Sequence, residues 1–467
     1  MKTRKGNKVY PLTAAQKLHY YSMKYCPKKQ VLNIGTGLTI QVELEWDLLE
    51  QCIKEAIDRC EALKVQFAED KDGNVYQYVE KNQIPVIRHF DFGHWKEEDA
   101  HDKMTEWTST PFELYDTPMY EIVMIKMPDN YHGVYVKVNH LIMDAQALIA
   151  FMKDVMQIYS CNFLDDVPQP KAMASYVKQL EKDLEYEAGN SASQKDREFF
   201  QNLITSSEPI FTDIYGKGKL EAERKRTGNP KQRAAVNTSN NVDANLANFY
   251  LEEEPSERLI KFCEENHVSL TCLLLMGLRT YLQKENEEDD ISVSTTIARR
   301  ATLMEKRCGG TRIHSFPFRT IVSREDTFLE GLFKIRDMQN QYFRHANYSP
   351  SEYYAFRKQH YNLENGQTYE AMALTYQPML MKYDGPTVEK MQKLEYNVRR
   401  YSNSACAHTL YLTVSHRPLG GLDFCFEHQT GVVTYEKLQE VYYYICRIMF
   451  RGIEDSSRTV GEIIDWS

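Results

Sequence analysis

No run of apolar residues in the 467-residue chain approaches the roughly 20 needed to cross a bilayer, so no membrane span is expected. The basic N-terminus, Met1–Pro11, is not followed by an apolar h-region, and no signal peptide is read there. The 10 cysteines are scattered, without a C-x-x-C pair or a zinc spacing. That speaks against a disulfide framework and for free thiols in a reducing, cytoplasmic setting. Positive charge is short as well: 57 Lys+Arg stand against 66 Asp+Glu, a net charge of −9, which argues against a nucleic-acid partner. Also missing are a G-x-S-x-G elbow, a P-loop, a dinucleotide fingerprint and any repeat of fixed period. No metal site is expected, because His89, His94 and His101 are close in sequence but at spacings that suit no metal-binding helix.

What is present is the composition of a globular protein, 42% hydrophobic and 26% charged. Apolar periodicity predicts helices over Asp47–Phe67, from about Asp144 to Tyr159, and over Ser256–Asn266, Leu270–Lys284 (with Ser269 as N-cap) and Tyr435–Arg451. Strands are predicted over Asn74–Tyr78, Pro85–Phe90, Tyr120–Met127, Tyr131–His140, Ile291–Ile297, Ile313–Val322, Leu410–Val414 and Leu422–His428. Cys161–Lys171, with two prolines and two adjacent aspartates, reads as a linker, and Ala172–Leu203 as a charged helical stretch interrupted near Gly189. Gly216–Asn248 is polar and reads as a long loop. Strands and helices alternate in both halves, an α/β or α+β sandwich class.

Chemistry concentrates in Val138-Asn139-His140-Leu141-Ile142-Met143-Asp144-Ala145. Val134, Val136, Val138 and His140 alternate onto one strand face. A strand therefore ends at His140, a tight turn follows, and a helix begins near Asp144. An imidazole at that place can take a proton from an attacking amine or hydroxyl, and the N-terminus of the helix can stabilise an oxyanion. The plainer alternatives are a structural histidine and an ordinary Asp N-cap. A second charged feature is Lys217–Arg233, whose Lys217, Lys219, Arg224, Lys225, Arg226, Lys231 and Arg233 face only Glu221 and Glu223. It reads as a solvated surface run or, alternatively, as a docking patch for an acidic partner.

The His140 segment resembles the H-H-x-x-x-D-G motif of nonribosomal peptide synthetase condensation domains and of chloramphenicol acetyltransferase. Other stretches are similar to the same family in the same order. Tyr10–Gln16 resembles its P-L-(S/T)-x-x-Q opening, Arg59–Phe67 its R-H-E-x-L-R-T-x-F, and Pro111–Met119 its P-F-D-L-x-x-x-P-L. Ile291–Arg300 looks like I-x-V-G-T-P-V-x-N-R, and Gly310–Arg319 like G-x-F-V-N-T-L-P-L-R. The resemblance implies a free-standing condensation protein built as a V-shaped pseudo-dimer of two acetyltransferase-like lobes, 1–165 and 172–467, around a central tunnel. It implies His140 as the catalytic histidine, and Asp144 paired with Arg300 as a structural brace. It also implies no permanently bound cofactor: a small-molecule donor would arrive as a phosphopantetheine thioester on an acyl or peptidyl carrier protein, or as a CoA thioester.

The departures from that pattern carry their own expectations. The first His of the motif is Asn139, which alternates to the face opposite His140. The glycine is Ala145, which disfavours φ > 0 and would crowd a loop that needed it. Arg299, Arg312 and His314 replace family residues where the resemblance places the tunnel wall. They would recognise an anionic or polar substrate, or mark a site that has lost catalysis. Three functions follow: condensation of a thioester-bound acyl group with an amine or hydroxyl, acyl-CoA-dependent acyl transfer, and non-catalytic recruitment of carrier proteins.

Overall fold

The computed structural model describes residues 3–83, 86–163, 167–378, 396–417 and 420–465. They fold as two compact units. Unit 1 comprises the described residues of 1–190, 298–313 and 379–405, and unit 2 those of 191–297, 314–378 and 406–467. This division differs from the expected lobes. Residues 164–166 of the expected linker, including the boundary at 165, lie outside the described residues, as does Pro85 at the start of an expected strand. The stretches 167–190, 298–313 and 396–405 pack in unit 1.

In unit 1, β1 (Thr3–Arg4) and β2 (Asn7–Pro11) lead into α1 (Ala14–Tyr25). A capping box closes the start of α1. Thr13 Oγ1 accepts the Gln16 N–H, and Gln16 Oε1 accepts the Thr13 N–H. There follow β3 (Asn33–Ile40), α2 (Trp46–Arg59), β4 (Val65–Glu69), β5 (Val75–Val79), β6 (Ile87–Asp91) and α3 (Glu97–Ser109). Next come β7 (Tyr120–Lys126), β8 (His132–Asn139), α4 (Ala145–Ser160) and α5 (Tyr176–Glu187). The small sheet runs β1-β2-β5-β4, and the larger runs β3-β8-β7-β6, with the late strand Tyr396–Tyr401, β15 in chain order, on the outer edge of β3.

β8 is the middle strand of the larger sheet, antiparallel to β3 and β7, and every one of its residues is buried. Its Tyr135 and Lys137 face α3: the Tyr135 ring lies 5.3 Å from Trp107, and Lys137 Nζ donates to the Trp107 carbonyl at 3.0 Å. Alternation turns Val134, Val136 and Val138 the other way. The helix expected over Asp47–Phe67 stops at Arg59, because two later demands break it. Val65 and Phe67 are taken into the small sheet, and the Glu61 carboxylate accepts from Ser175 Oγ (2.8 Å) and the Val177 N–H (3.0 Å), fastening the start of α5.

Unit 2 opens with α6 (Ser191–Ser206), α7 (Gly218–Thr227), β9 (Ala235–Val236), β10 (Ala244–Leu251), α8 (Glu253–Glu265), α9 (Leu270–Asn286) and β11 (Asp290–Ile297). The chain then returns to unit 1 with α10 (Leu303–Lys306). Back in unit 2 it forms β12 (His314–Ile321), α11 (Phe328–Arg344), α12 (Pro350–His360), β13 (Gln367–Thr368) and β14 (Met372–Gln377). After β15 come β16 (Leu410–His416), β17 (Leu422–Gln429), α13 (Tyr435–Glu454) and α14 (Val460–Ile464). The six-stranded sheet runs β10-β17-β16-β14-β11-β12. Its apolar side, with Val293, Leu374, Leu412 and Phe424, shares one core with α9 and α13. Gly277 lets those two helices approach closely, since a Cβ there would sit 2.9 Å from Met449 Cγ.

One sequence expectation fails in this unit. The stretch read as a long loop, Gly216–Asn248, contains α7, β9 and part of β10. Its basic side chains are engaged locally: Lys217 pairs with Glu287 and Lys219 with Asp213, both at 2.8 Å, and Arg226 with Glu223 and Glu364 at 2.7 and 2.6 Å. Arg233 lies 3.5 Å from Asp290, and Arg224 Nε donates to the Gln232 carbonyl. Five of the seven basic residues are thus spent within unit 2. Among the described residues no helix is long and apolar enough to cross a membrane, and no disulfide joins the cysteines.

Candidate active site

His140 directly follows the last residue of β8. The residue is partly exposed, whereas the strand before it and Leu141–Asp144 after it are buried. Its backbone is held tightly, because the His140 N–H donates to the Leu32 carbonyl at 2.8 Å and the Asn139 N–H to that of Met119 at 2.9 Å. Asn139 shapes the turn. Its carbonyl accepts from Ile142 and Met143, and its side-chain Oδ1 accepts from the Leu141 N–H at 3.0 Å. At 1% exposure the Asn139 side chain looks into the protein, as alternation requires.

The turn ends at Asp144, the N-cap of α4, whose Oδ1 accepts from the Ala147 N–H at 2.9 Å. A carboxylate at a helix N-terminus is favourable, but one that is 1% exposed needs more than a dipole. Arg300 supplies it: one guanidinium nitrogen donates to both Asp144 oxygens at 2.9 Å, and the Arg312 N–H donates to Oδ2 at 2.9 Å. Arg300 also donates to the carbonyls of Glu305, Cys308 and Gly310, at 2.7, 2.6 and 2.9 Å. Gly310 turns that carbonyl inward with φ at +98°, and a Cβ there would lie 2.6 Å from the Tyr176 ring. Thus Arg300 is no solvated strand-end charge. It ties the 298–313 excursion to the cap of α4.

Arg299 and Arg312 were expected to line a tunnel. Their side chains are only 5% and 4% exposed and turn to one carboxylate on α5, with Arg312 2.9 Å and Arg299 3.4 Å from Asp183. Glu305 lies 3.6 Å from Arg312. Three guanidiniums and three carboxylates (Asp144, Asp183, Glu305) therefore balance behind His140, and little of this charge reaches a surface. His314 belongs to unit 2, fully buried, with Nδ1 3.0 Å from the Ala346 carbonyl. Ala145 is the first residue of α4 and its φ is not positive, so no glycine is required there.

The imidazole itself has two near neighbours. Thr311 Oγ1 lies 3.4 Å from Nδ1, and the His19 ring from α1 stacks on it. Burial pulls the proton affinity of His140 below the ordinary histidine value, while the charge of Asp144 pulls it up. The neutral, basic form therefore persists to lower pH. A buried polar network holds α1 against the turn: Gln16 Nε2 donates to Gln77 Oε1 (2.9 Å), to Tyr176 (3.1 Å) and, at 3.4 Å, to the Leu141 carbonyl. Sequence reasoning noted Gln16 and Thr311 only as parts of motifs and missed His19, Asp183 and Tyr176. His19 had a usable signal, three residues from Gln16 on one helix face.

A family model described as Condensation domain matches residues 6–464. Curated relatives include surfactin synthase subunit 1 of Bacillus subtilis (strain 168), 24% identical over 73% of this chain, and bacitracin synthase 3 of Bacillus licheniformis, 23% identical over 73%. The chain spans only 9% and 5% of their lengths. Among solved structures, the first condensation domain of the calcium-dependent antibiotic synthetase, with a substrate analogue, superposes with a TM-score of 0.77 at 17% identity, covering 97% of this chain and 98% of that one. The starter condensation domain of rhizomide synthetase in complex with C8-CoA gives 0.79 at 17% identity, with 97% of both chains covered.

Proposed function

The chain belongs to the condensation-domain family, and from that premise we propose that it joins a thioester-bound acyl or aminoacyl donor to an amine or hydroxyl acceptor in the assembly of a nonribosomal peptide or related product. The observation that carries this reading is His140, held at the end of β8 beside the start of α4, its turn braced by Asp144 and Arg300. In the tautomer where Nδ1 donates to Thr311 Oγ1, Nε2 carries the lone pair that meets a substrate. The acceptor nitrogen or oxygen attacks the thioester carbonyl, a C–N or C–O bond forms, the C–S bond breaks, and the thiol leaves. His140 takes the acceptor's proton and returns it to the departing sulfur. Asp144 and Arg300 act at a distance, by fixing the loop that presents His140.

In this reading the donor is delivered on phosphopantetheine of a carrier protein. A CoA donor is the second reading, favoured by the likeness to a starter condensation domain solved with C8-CoA. Lys217–Arg233 is a weak candidate for carrier docking, since most of its charge is neutralised within unit 2. One experiment tests these readings together. Acylated carrier protein and acyl-CoA are incubated with amine and alcohol acceptors, and products are followed by mass spectrometry for the wild type and His140→Ala. Product formed by the wild type and lost in the variant is the expected result. Full turnover by His140→Ala removes His140 from the chemistry, and turnover with CoA thioesters alone selects the second reading.

A further inference from the structure

Two buried polar atoms at this site have no hydrogen-bond partner among the described residues: Nε of Arg300, whose other guanidinium nitrogens are bonded, and Nε2 of His19, a residue 8% exposed. A purely space-filling position on α1 would be better served by an apolar side chain, because a buried imidazole left unpaired costs stability. His19 follows Gln16 by three residues, so both point from one face of α1 at the same turn. Gln16 reaches the Leu141 carbonyl, and the His19 ring lies on the His140 ring with centroids 4.2 Å apart and planes 22° apart. Histidine rotates broadly about its second side-chain torsion. The hydrogen-bond contact from another side chain to the His140 ring is the long one to Thr311, so directional bonding fixes the ring weakly.

We propose that His19 is a positioning residue for His140, its flat ring setting the plane in which the imidazole presents its reactive nitrogen. The proposal rests on the reading of His140 as the base. Stacking confines His140 to rotation within its own plane, and α1 is itself anchored by the capping box and the Gln16–Gln77–Tyr176 network. The pair also has a charge consequence. Two imidazolium rings this close repel, so one proton goes to the pair, and it goes to His140. The charge of the Asp144 carboxylate, which is shared with Arg300 and the Arg312 N–H, favours the protonated form of that ring. Burial first, and then the charge of His140, keep His19 neutral.

The full-length chain tests this with histidine-labelled NMR and steady-state kinetics. His19→Leu is expected to lower kcat about tenfold, as a misplaced catalytic group does, with KM little changed. His19→Phe, which keeps a flat ring, is expected to regain most of that loss. The ring-current displacement of the His140 ring protons should persist in His19→Phe and vanish in His19→Leu, and His140→Gln should let His19 titrate at higher pH. His19→Gln serves the same arm if the leucine chain does not fold. An unchanged kcat with unchanged His140 ring shifts in His19→Leu overturns the proposal. If His140→Gln turns over like the wild type, the reading of His140 as the base fails on its own. The NMR arm then still decides: ring shifts lost in His19→Leu uphold the contact, and shifts retained refute it.

Discussion

β8 and β17 end alike. Each is bonded antiparallel on both sides, β8 between β3 and β7, and β17 between β10 and β16. In each, the carbonyl of the last strand residue accepts two N–H groups of the turn: Asn139 from Ile142 and Met143, Gln429 from Val432 and Val433. The next residue, His140 or Thr430, donates its N–H to a neighbouring carbonyl, that of Leu32 or Asp243. Four residues later comes an N-cap, Asp144 for α4 and Thr434 for α13. The backbone device is therefore built in both units, and only unit 1 equips it with an imidazole and a charged cap. Thr434 closes its helix with a neutral hydroxyl and needs no counter-ion. Asp144 needs Arg300, and a buried ion pair is seldom the most stable way to cap a helix. It is used at this turn in unit 1 and not at the matching turn in unit 2.

The largest expected effect breaks the comparison at its reactive position. His140→Ala should lower acyl transfer by about 10²- to 10⁴-fold, the usual worth of a positioned base. Thr430→Ala, at the matching place in unit 2, should leave it unchanged. Equal losses in a mass-spectrometric transfer assay would mean that both turns serve only the fold. The caps give the next contrast. Asp144→Ala strands the Arg300 guanidinium and should cost about 3–5 kcal/mol in urea unfolding, against about 1 kcal/mol for Thr434→Ala. A loss at Asp144 no greater than at Thr434 would show that the ion pair contributes nothing beyond an ordinary cap.

Acid sharpens the comparison further. His140 and His19 both bind protons less readily than an ordinary imidazole, with burial the first cause in each. Above the unfolded value near 6.5 both states are neutral and neither residue makes stability depend on pH. Below it the unfolded chain takes up protons that the folded unit resists, so stability falls with falling pH until the folded rings are protonated too. Midpoints of urea unfolding recorded from pH 7.5 down to pH 5 should therefore decline. His140→Gln and His19→Phe should each flatten the decline, and Thr430→Ala should not. A wild-type profile level through pH 6 would contradict the lowered proton affinity of these two rings.

Short-range grammar made much of the fold readable from sequence. The period-2 run Val134-Val136-Val138 announces β8, and an Asp before an apolar helix announces the cap at Asp144, as Ser269 does for α9. Long-range pairing was not readable. Arg299 and Arg312 look like charges offered to a substrate until Asp183, more than a hundred residues earlier, is seen to hold both. The run Lys217–Arg233 misleads in the same way, because its partners Glu287, Asp290 and Glu364 are remote in sequence. β3 is hidden for another reason. Its Gly35 gives no strand signal, yet a Cβ there would collide with Thr108 of α3 at 2.1 Å, so glycine is required by packing that only the fold reveals. A sequence displays a charge or a glycine, and the structure supplies its counterpart.

The smallest expected effect concerns Ala145, where the family motif has glycine. If that glycine served a left-handed backbone, alanine would strain the turn and Ala145→Gly would restore activity. The backbone argues otherwise: Ala145 begins α4 without a positive φ, as Tyr435 begins α13 in the matching turn. Glycine there only adds freedom to the unfolded chain and to the first helical turn, a cost of at most about 1 kcal/mol. Ala145→Gly should therefore leave kcat close to that of the wild type and lower the urea midpoint slightly. A rise in kcat of tenfold or more, with KM unchanged, would instead mean that the methyl group crowds the donor thioester. That outcome would move the cause from backbone strain to space beside His140, and Ala145→Ser, larger than alanine, should then be slower still.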